Sequence, residues 1–166
     1  MLTAPQLAAL KAEIDGDPVL AAKPLNSDGY FDTAVALNTQ IAVPDFYVWR
    51  TSVSVAEIMS NGFDWTRVDN MTVGEARIWD FMTQLGSIDP SKANIRGGVN
   101  EAFKGTAQDD AMRLVIFGHC QEKASRTKKL FATGAGTSTS DAGIGPATPS
   151  VLQVNSLDIE MARALA

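Results

Sequence analysis

Apolar residues recur along much of the chain at the three- and four-residue spacing of an amphipathic helix. The first such stripe consists of Leu7, Leu10 and Ile14. Thr3 and Gln6 precede it with the spacing of a capping box, in which each residue's side chain bonds the other's backbone N–H. The sequence Asp15-Gly16-Asp17-Pro18 ends the helix, because glycine frees the backbone and proline disfavours helix in the residue before it. The pattern therefore predicts a first helix between Thr3 and Asp15.

Four further helices are predicted from the same combination of a capping residue and an apolar stripe. They cover residues 28–38, 54–61, 72–86 and 89–103. Ser54 and Glu57 form a second predicted capping box, and Asp89 before Pro90 places a cap and a proline in the order that helix starts prefer. The side chains expected to face the core are Tyr30, Phe31, Ala34, Leu37, Ile78, Trp79, Met82, Leu85, Ala93, Ile95, Val99, Ala102 and Phe103.

The longest predicted helix runs from about Ala107 to Leu130. Its expected core positions are Ala111, Leu114, Val115, Gly118 and Ala124. Its end carries a basic cluster: Lys123, Arg126, Lys128 and Lys129. Basic side chains in a last turn answer the partial negative charge of exposed carbonyls. We favour this structural explanation of the cluster over a surface that contacts DNA.

Residues 130–155, LFATGAGTSTSDAGIGPATPSVLQVN, interrupt the helical pattern with a tract of small residues. The alternation of Val151-Leu152-Gln153-Val154 predicts a strand, paired with 129–133 in a hairpin, so that 131–155 would protrude. Ordering the backbone costs about 1–2 kcal/mol per residue, and small side chains recover little of that cost. We therefore expect the tract to order only against a neighbouring subunit or partner. A last short helix, Leu157 to Leu165, is predicted after Ser156 as its cap.

Composition limits the classes of protein that fit. The 166 residues suffice for one domain, 1–166, with its own core. The helical patterns described above predict a mainly α fold for it. A formal net charge of -5 argues against a main role in binding the phosphate backbone of a nucleic acid. The single cysteine, Cys120, excludes an internal disulfide. We expect no signal peptide and no membrane-spanning segment, and synthesis in the cytoplasm.

Candidate chemistry is sparse. His119 and Cys120 are neighbours, but adjacent helical residues point about 100° apart and cannot form a catalytic dyad. The acidic residues lack the spacing of a metal site. Gly134-Ala135-Gly136 begins like a dinucleotide-binding loop, but Thr139 stands where the third glycine belongs. We therefore expect no catalytic residues, no metal, no cofactor and no enzymatic activity.

Several stretches resemble the small helical head-to-tail connector proteins, or adaptors, of tailed bacteriophages and prophages. They are LTAPQLAALKAEIDGDPVLAA, PDFYVWRTSVSVAEIM, ANIRGGVNEAF, KKLFATGAG and NSLDIEMARALA. Together they span most of the chain. The tract around 137–149 departs from the family's pattern, and 63–82 matches it less well.

The resemblance implies a helical bundle with an extended loop or hairpin and a C-terminal docking helix, 156–166. It also implies a homo-oligomeric ring, of about twelve copies, in the neck of the virion. The implied partners are the portal protein, a tail or nozzle protein, and DNA that passes through the lumen without sequence-specific binding. Carried onto this chain, the resemblance implies that the loop from Gly134 to Ser150 reaches a neighbouring subunit. The implied docking candidates for portal or a neighbouring subunit are Leu157, Ile159, Met161, Leu165, Val151, Leu152 and Val154.

Two other classes stay open on the sequence alone. A DNA-binding phage accessory or packaging protein would use the basic end of the long predicted helix, and its affinity would depend strongly on salt. An enzyme would need polar groups that converge from distant parts of the chain, which a sequence does not display.

Overall fold

The protein is mainly helical, as the sequence predicts, in a computed structural model that describes residues 1–138, 145–149 and 152–165. Within those residues the chain forms ten helices and four short strands. Its contacts divide it into two compact units. Unit 1 contains residues 1–46, 123–133 and 152–165, and unit 2 contains 47–122 with the described parts of 134–149. The single domain expected over 1–166 stays a prediction.

Unit 1 is built from five helices around an apolar core. They are α1 (Ala4–Asp15), α2 (Pro18–Ala21), α3 (Ser27–Thr39), α9 (Arg126–Phe131) and α10 (Ser156–Arg163). Helices α1 and α3 both pack against α9 and α10. The buried apolar side chains are Leu2, Leu7, Leu10, Ile14, Leu20, Ala34, Leu37, Val154, Ile159 and Ala162.

The first helix begins and ends where the sequence predicts. The Gln6 side chain accepts a hydrogen bond of 2.9 Å from the Thr3 backbone N–H, and the stripe from Leu7 to Ile14 is buried. In α3, by contrast, the predicted burial of Phe31 is wrong, since 61% of its surface is exposed. The buried face of α3 is rotated toward Gly29 and Thr33, where the Thr33 hydroxyl donates to the Gly29 carbonyl at 2.7 Å.

Unit 2 contains the remaining helices and most of the strand residues. The helices are α4 (Val55–Ile58), α5 (Trp65–Asp69), α6 (Val73–Thr83), α7 (Ala93–Ala102) and α8 (Ala107–His119). The strands are β1 (Tyr47–Trp49), β2 (Val53–Ser54), β3 (Ser87–Ile88) and β4 (Gln121–Lys123), whose last residue belongs to unit 1. Strand β1 pairs with β4, and β2 pairs antiparallel with β3 in the register Val53 opposite Ile88.

Aromatic rings fill the centre of unit 2. Trp79 stacks near Phe63 and meets Phe103 edge to face, while Trp49 meets Phe117 edge to face with centroids 5.5 Å apart. The apolar segment around Trp49 thus fills a core. Its other members are Val53, Ile58, Met82, Ile88, Val99, Ala102, Met112, Ile116 and Cys120.

The long helix predicted over 107–130 is wrong. Helix α8 ends at His119, and β4 and then α9 follow it. Arg50 explains the break, because its guanidinium donates to the His119 carbonyl at 3.0 Å and its backbone N–H to the Cys120 carbonyl at 2.9 Å. The face of α8 is also rotated from the prediction. Its buried apolar residues are Met112, Ile116 and Phe117, whereas Ala111, Leu114 and Gly118 are exposed and Val115 is half-buried.

Other boundaries differ for local reasons. Helix α7 begins at Ala93 because the Asp89 carboxylate bonds the Ser91 N–H and hydroxyl in a turn, so Ala93 is exposed and Pro90 is not in the helix. Leu85 lies beyond the end of α6 and is 69% exposed. Glu57 does not complete a box with Ser54, since its carboxylate forms a two-pronged contact with Arg50.

The predicted hairpin is wrong over the described residues. Residues 129–131 belong to α9, and 152–155 form no strand. Val151 lies outside the described residues. The C-terminal helix is confirmed, with Asn155 rather than Ser156 as its cap, since the Asn155 side chain accepts from the Asp158 N–H at 3.0 Å. No helix in the described ranges has the length and apolar character needed to cross a membrane.

Candidate docking surfaces

The C-terminal segment is built into unit 1. Ile159 and Ala162 of α10 are fully buried, and Val154 just before it is 3% exposed. Asn38 of α3 holds the segment through both backbone groups of Val154, donating to its carbonyl at 2.8 Å and accepting from its N–H at 3.3 Å. Val154 and Ile159 are therefore core residues of this fold.

The far end of α10 is held by a cationic side chain. Arg163 donates to the carbonyls of Leu20 at 2.7 Å, Ala21 at 2.9 Å and Lys23 at 3.0 Å. Those carbonyls belong to α2 and the residues that follow it, where a helix leaves acceptors without partners. The sequence carries no local signal for this contact, because the two segments are about 140 residues apart.

The exposed docking candidates form a smaller set. Leu157 is 52% exposed, Leu165 37% and Leu152 36%, and Met161 is half-buried against the core of unit 1. Because Ile159 is buried two residues further along, α10 is amphipathic with Leu157 on its outer side. A partner that meets this helix would meet Leu157 first.

The flanks of the small-residue tract are ordered on their own chain. Tyr47 of β1 donates to the Gly136 carbonyl at 2.9 Å and accepts from the Ala147 N–H at 2.9 Å, and Trp49 donates to the Ala147 carbonyl at 3.0 Å. Ala147 is 1% exposed and bridges Val48 in parallel. The prediction that the tract orders only against a partner is therefore wrong for residues 134–138 and 145–149. The rest of the predicted reaching loop, 139–144 and 150, lies outside the described residues.

Three members of the basic cluster have acidic or carbonyl partners inside unit 1. Lys123 pairs with Asp45 at 2.6 Å, and the Lys129 ammonium donates to the Val43 carbonyl at 3.3 Å. Arg126 pairs with Glu13 at 2.8 Å and with Asp17 at 2.5 Å. The hydrogen bond from Arg126 lowers the pKa of Asp17 below its usual value, so the pair stays charged at neutral pH. Most of the cluster's charge is thus compensated within the fold.

A cavity of about 690 Å³ in unit 1 lies beside these ion pairs. Its lining includes Glu13, Asp17 and Arg126 together with apolar atoms of Ile41, Val43 and Leu130. Arg126 is already bonded to both carboxylates, so the polar groups of the cavity satisfy one another. This arrangement resembles the interior of an ion-pair network more than a ligand site.

The most buried charges lie in unit 2. Arg67 bonds Asp109 and also Glu75, and its guanidinium lies over the Phe103 ring at 5.9 Å. Burial raises the pKa of Asp109, but hydrogen bonds from Thr106 and Arg67 outweigh burial and lower it below its usual value. Both acids are third residues of capping boxes, with Thr72 in α6 and Thr106 in α8. Arg67 therefore bonds the first turns of both α6 and α8.

His119 and Cys120 do not form a catalytic pair. The His119 ring nitrogen lies 3.3 Å from the Asn61 carbonyl oxygen, whereas Cys120 is fully buried. Burial raises the pKa of the Cys120 thiol to about 12, so it stays protonated at neutral pH. No group of three metal-binding side chains occurs among the residues that the structure describes.

Comparison of this chain with protein-family models, with curated protein sequences and with solved structures gives no significant match.

Proposed function

We propose that this chain is a structural virion protein of a tailed phage or prophage, a head-to-tail connector that forms a ring between portal and tail. The observation that carries the proposal is the meeting of distant resembling segments in one core. The opening, 2–22, the stretch 128–136 and the ending, 155–166, supply α1, α9 and α10. These helices pack together in unit 1.

The exposed side of α10 supports its role as the docking element for portal. Leu157, Leu152 and Leu165 are apolar and accessible, while Ile159 fixes the helix to the unit 1 core. Within α10, Leu157 is exposed beside Glu160, and a helix held on one side by its own core can present such a leucine to a partner groove. The proposed docking set is accordingly Leu152, Leu157 and Leu165, with Met161 at its edge.

Charge supports a role beside DNA without tight binding to it. The net charge is -5, and Lys123, Arg126 and Lys129 have partners within unit 1. A DNA-binding accessory protein needs uncompensated cations, because affinity comes from counterion release. The same charge distribution suits a channel wall along which DNA slides.

Binding to the portal tests the proposal. The chain is mixed at micromolar concentration with the portal protein encoded in the same genome, and the mixture is analysed by sedimentation velocity. We expect co-sedimentation with portal, and little retention of duplex DNA at physiological salt. Absence of a portal complex would contradict the proposal. Strong, salt-dependent binding of duplex DNA in its place would favour the accessory-protein alternative.

A further inference from the structure

Two exposed helix faces carry complementary residues, one on each unit. On α3, Asp28, Phe31 and Val35 lie within about 60° around the axis, and all three are exposed. On α6 and just beyond it, Arg77, Phe81 and Leu85 are also exposed. We call these the α3 face and the α6 face.

The apolar members of these faces need an explanation. Phe31 is 61% exposed, Phe81 65% and Leu85 69%. Single exposed apolar residues are ordinary, but each of these faces carries a phenylalanine, a second apolar residue and a charge, and aromatic residues are enriched at protein interfaces. Each of these helices already packs its opposite side into its own unit, through Leu37 in α3 and Trp79 in α6.

The charges on the two faces are opposite and available. Arg77 has no ion pair or hydrogen bond to its side chain within the described part of the chain. Asp28 has no ion pair there, and its carboxylate accepts one long hydrogen bond, at 3.5 Å, from the hydroxyl of the adjacent Ser27. Both residues are exposed, so neither is held by the core. An arginine on one apolar face and a carboxylate on the other provide electrostatic complementarity.

The spacing of the two sets also matches. At about 1.5 Å per residue, Asp28, Phe31 and Val35 lie at about 0, 4.5 and 10.5 Å along the α3 axis. By the same rise, Arg77 and Phe81 lie at about 0 and 6 Å along the α6 axis, and Leu85 follows two residues beyond the end of the helix. Helices side by side in parallel would place Arg77 near Asp28 and Phe81 near Phe31.

We propose that the α3 face of one copy binds the α6 face of the next copy, so that this chain associates with itself head to tail. A head-to-tail contact uses two different surfaces of one chain and can close into a ring. The inference deepens the proposed connector and rests on it for the biological meaning of the contact. The patch is small, so a single contact is weak and ring closure supplies the additional stability.

Charge reversal tests the contact. The variants are Asp28→Lys, Arg77→Glu and the double variant, with Asp69→Lys as a control that makes the same change in net charge as Asp28→Lys at an exposed site on α5. Sedimentation equilibrium up to about 1 mM, near the weak limit of specific association, gives the association constant of each. Circular dichroism and thermal melting check that the exposed substitutions leave the fold intact.

We expect the wild type to associate, and each single reversal to weaken association by about ten-fold or more. The double variant restores association, because its charges are again opposite. An equimolar mixture of the two single variants also restores it, since copies of the two variants can alternate. The two reversed faces then meet at one contact, the two unchanged faces meet at the next, and the charges are opposite at both. The Asp69→Lys control associates like the wild type.

A monomeric wild type at about 1 mM would overturn the proposal. So would single reversals without effect, or losses that neither the double variant nor the mixture restores. Portal binding by the same variants separates the two proposals. If the variants bind portal but the charge reversals do not affect self-association, only the α3–α6 contact is contradicted. If the charge reversals affect self-association as expected but no variant binds portal, the connector function is contradicted and the contact is retained.

Discussion

Single residues account for the helix starts and for the strongest buried interaction. The Gln6 side chain bonds the Thr3 N–H and the Thr72 hydroxyl caps α6, and both were predictable because a capping hydrogen bond spans only three residues. The sequence does not reveal that Arg67 connects Glu75 with Asp109, since the partners are 8 and 42 residues away. Local chemistry was predictable, and the long-range partner was not.

Replacement of Asp109 by asparagine should destabilise the protein strongly. Arg67 would lose a charged partner at a site where the Asp109 side chain is fully buried, and breaking a buried pair costs about 3–5 kcal/mol. Urea denaturation followed by fluorescence measures the change in the free energy of unfolding. Asp110→Asn is the control, because the Asp110 side chain is 61% exposed and its pairing with Arg113 is worth less than about 1 kcal/mol.

The stabilising effect of the Asp109 carboxylate should depend on pH. The folded-state pKa of Asp109 lies below its unfolded value, so its stabilising effect is present above the unfolded pKa and is lost as pH falls through the folded one. The difference in stability between wild type and Asp109→Asn should be full at neutral pH and shrink below about pH 4. A difference that stays constant down to about pH 2 would contradict the charged pairing.

The thiol of Cys120 should be unreactive in the native protein. It is fully buried, and burial raises its pKa to about 12. A thiol-specific colorimetric reagent at neutral pH should label no cysteine in the folded state and one after unfolding in guanidinium. Rapid labelling of the native protein would show that the thiol is accessible and would reopen a chemical role for this position.

Elements were predictable where their limits are set by nearby residues. Helix α1 ends at its glycine, and α10 lies within one residue of its prediction at its start. The break after His119 was not predictable, because it depends on Arg50 and on pairing of β4 with β1. The hairpin prediction failed for the same reason, since 129–131 form the end of α9, which packs against α1 and α3.

The first flank of the small-residue tract should be sensitive to substitution. Gly134 has φ of 114°, and a Cβ there would lie 3.3 Å from the Ala147 Cα. Gly134→Ala should therefore lower the free energy of unfolding by about 1–3 kcal/mol. Gly97→Ala is the matched control. Gly97 lies inside α7 with no atom within 4 Å of such a Cβ, so alanine should be neutral or stabilising by up to about 1 kcal/mol. Equal effects of the two changes would contradict the anchoring of this flank.

Two neighbouring positions of α10 should separate docking from folding. Leu157→Ser removes an exposed apolar side chain, so the helical circular-dichroism signal should persist while affinity for portal falls by about ten-fold or more. Ile159→Ser places a hydroxyl in the unit 1 core and should cost about 2–5 kcal/mol of stability. Portal binding unchanged by Leu157→Ser would remove α10 from the proposed interface.

At the scale of the whole molecule, the proposed assembly depends on surfaces that are already folded. The described flanks of the tract already bond β1 in unit 2, so ordering of those flanks against a partner does not explain the proposed assembly. Exposed apolar residues on folded helices take its place: Phe31 and Val35 on α3, Phe81 on α6, and Leu157 on α10. The mainly α class follows from the sequence alone. Which helix faces stay exposed depends on packing and required the structure.

Copy number and placement on the portal test the central claim most directly. Native mass spectrometry of the complex with portal, combined with electron microscopy, should show several copies of this chain in a closed ring on one end of the portal. We expect this result because the two proposed self-contacting faces differ and the proposed portal-docking helix is a third surface. A portal that carries no copies, or scattered single copies without a ring, would contradict the account.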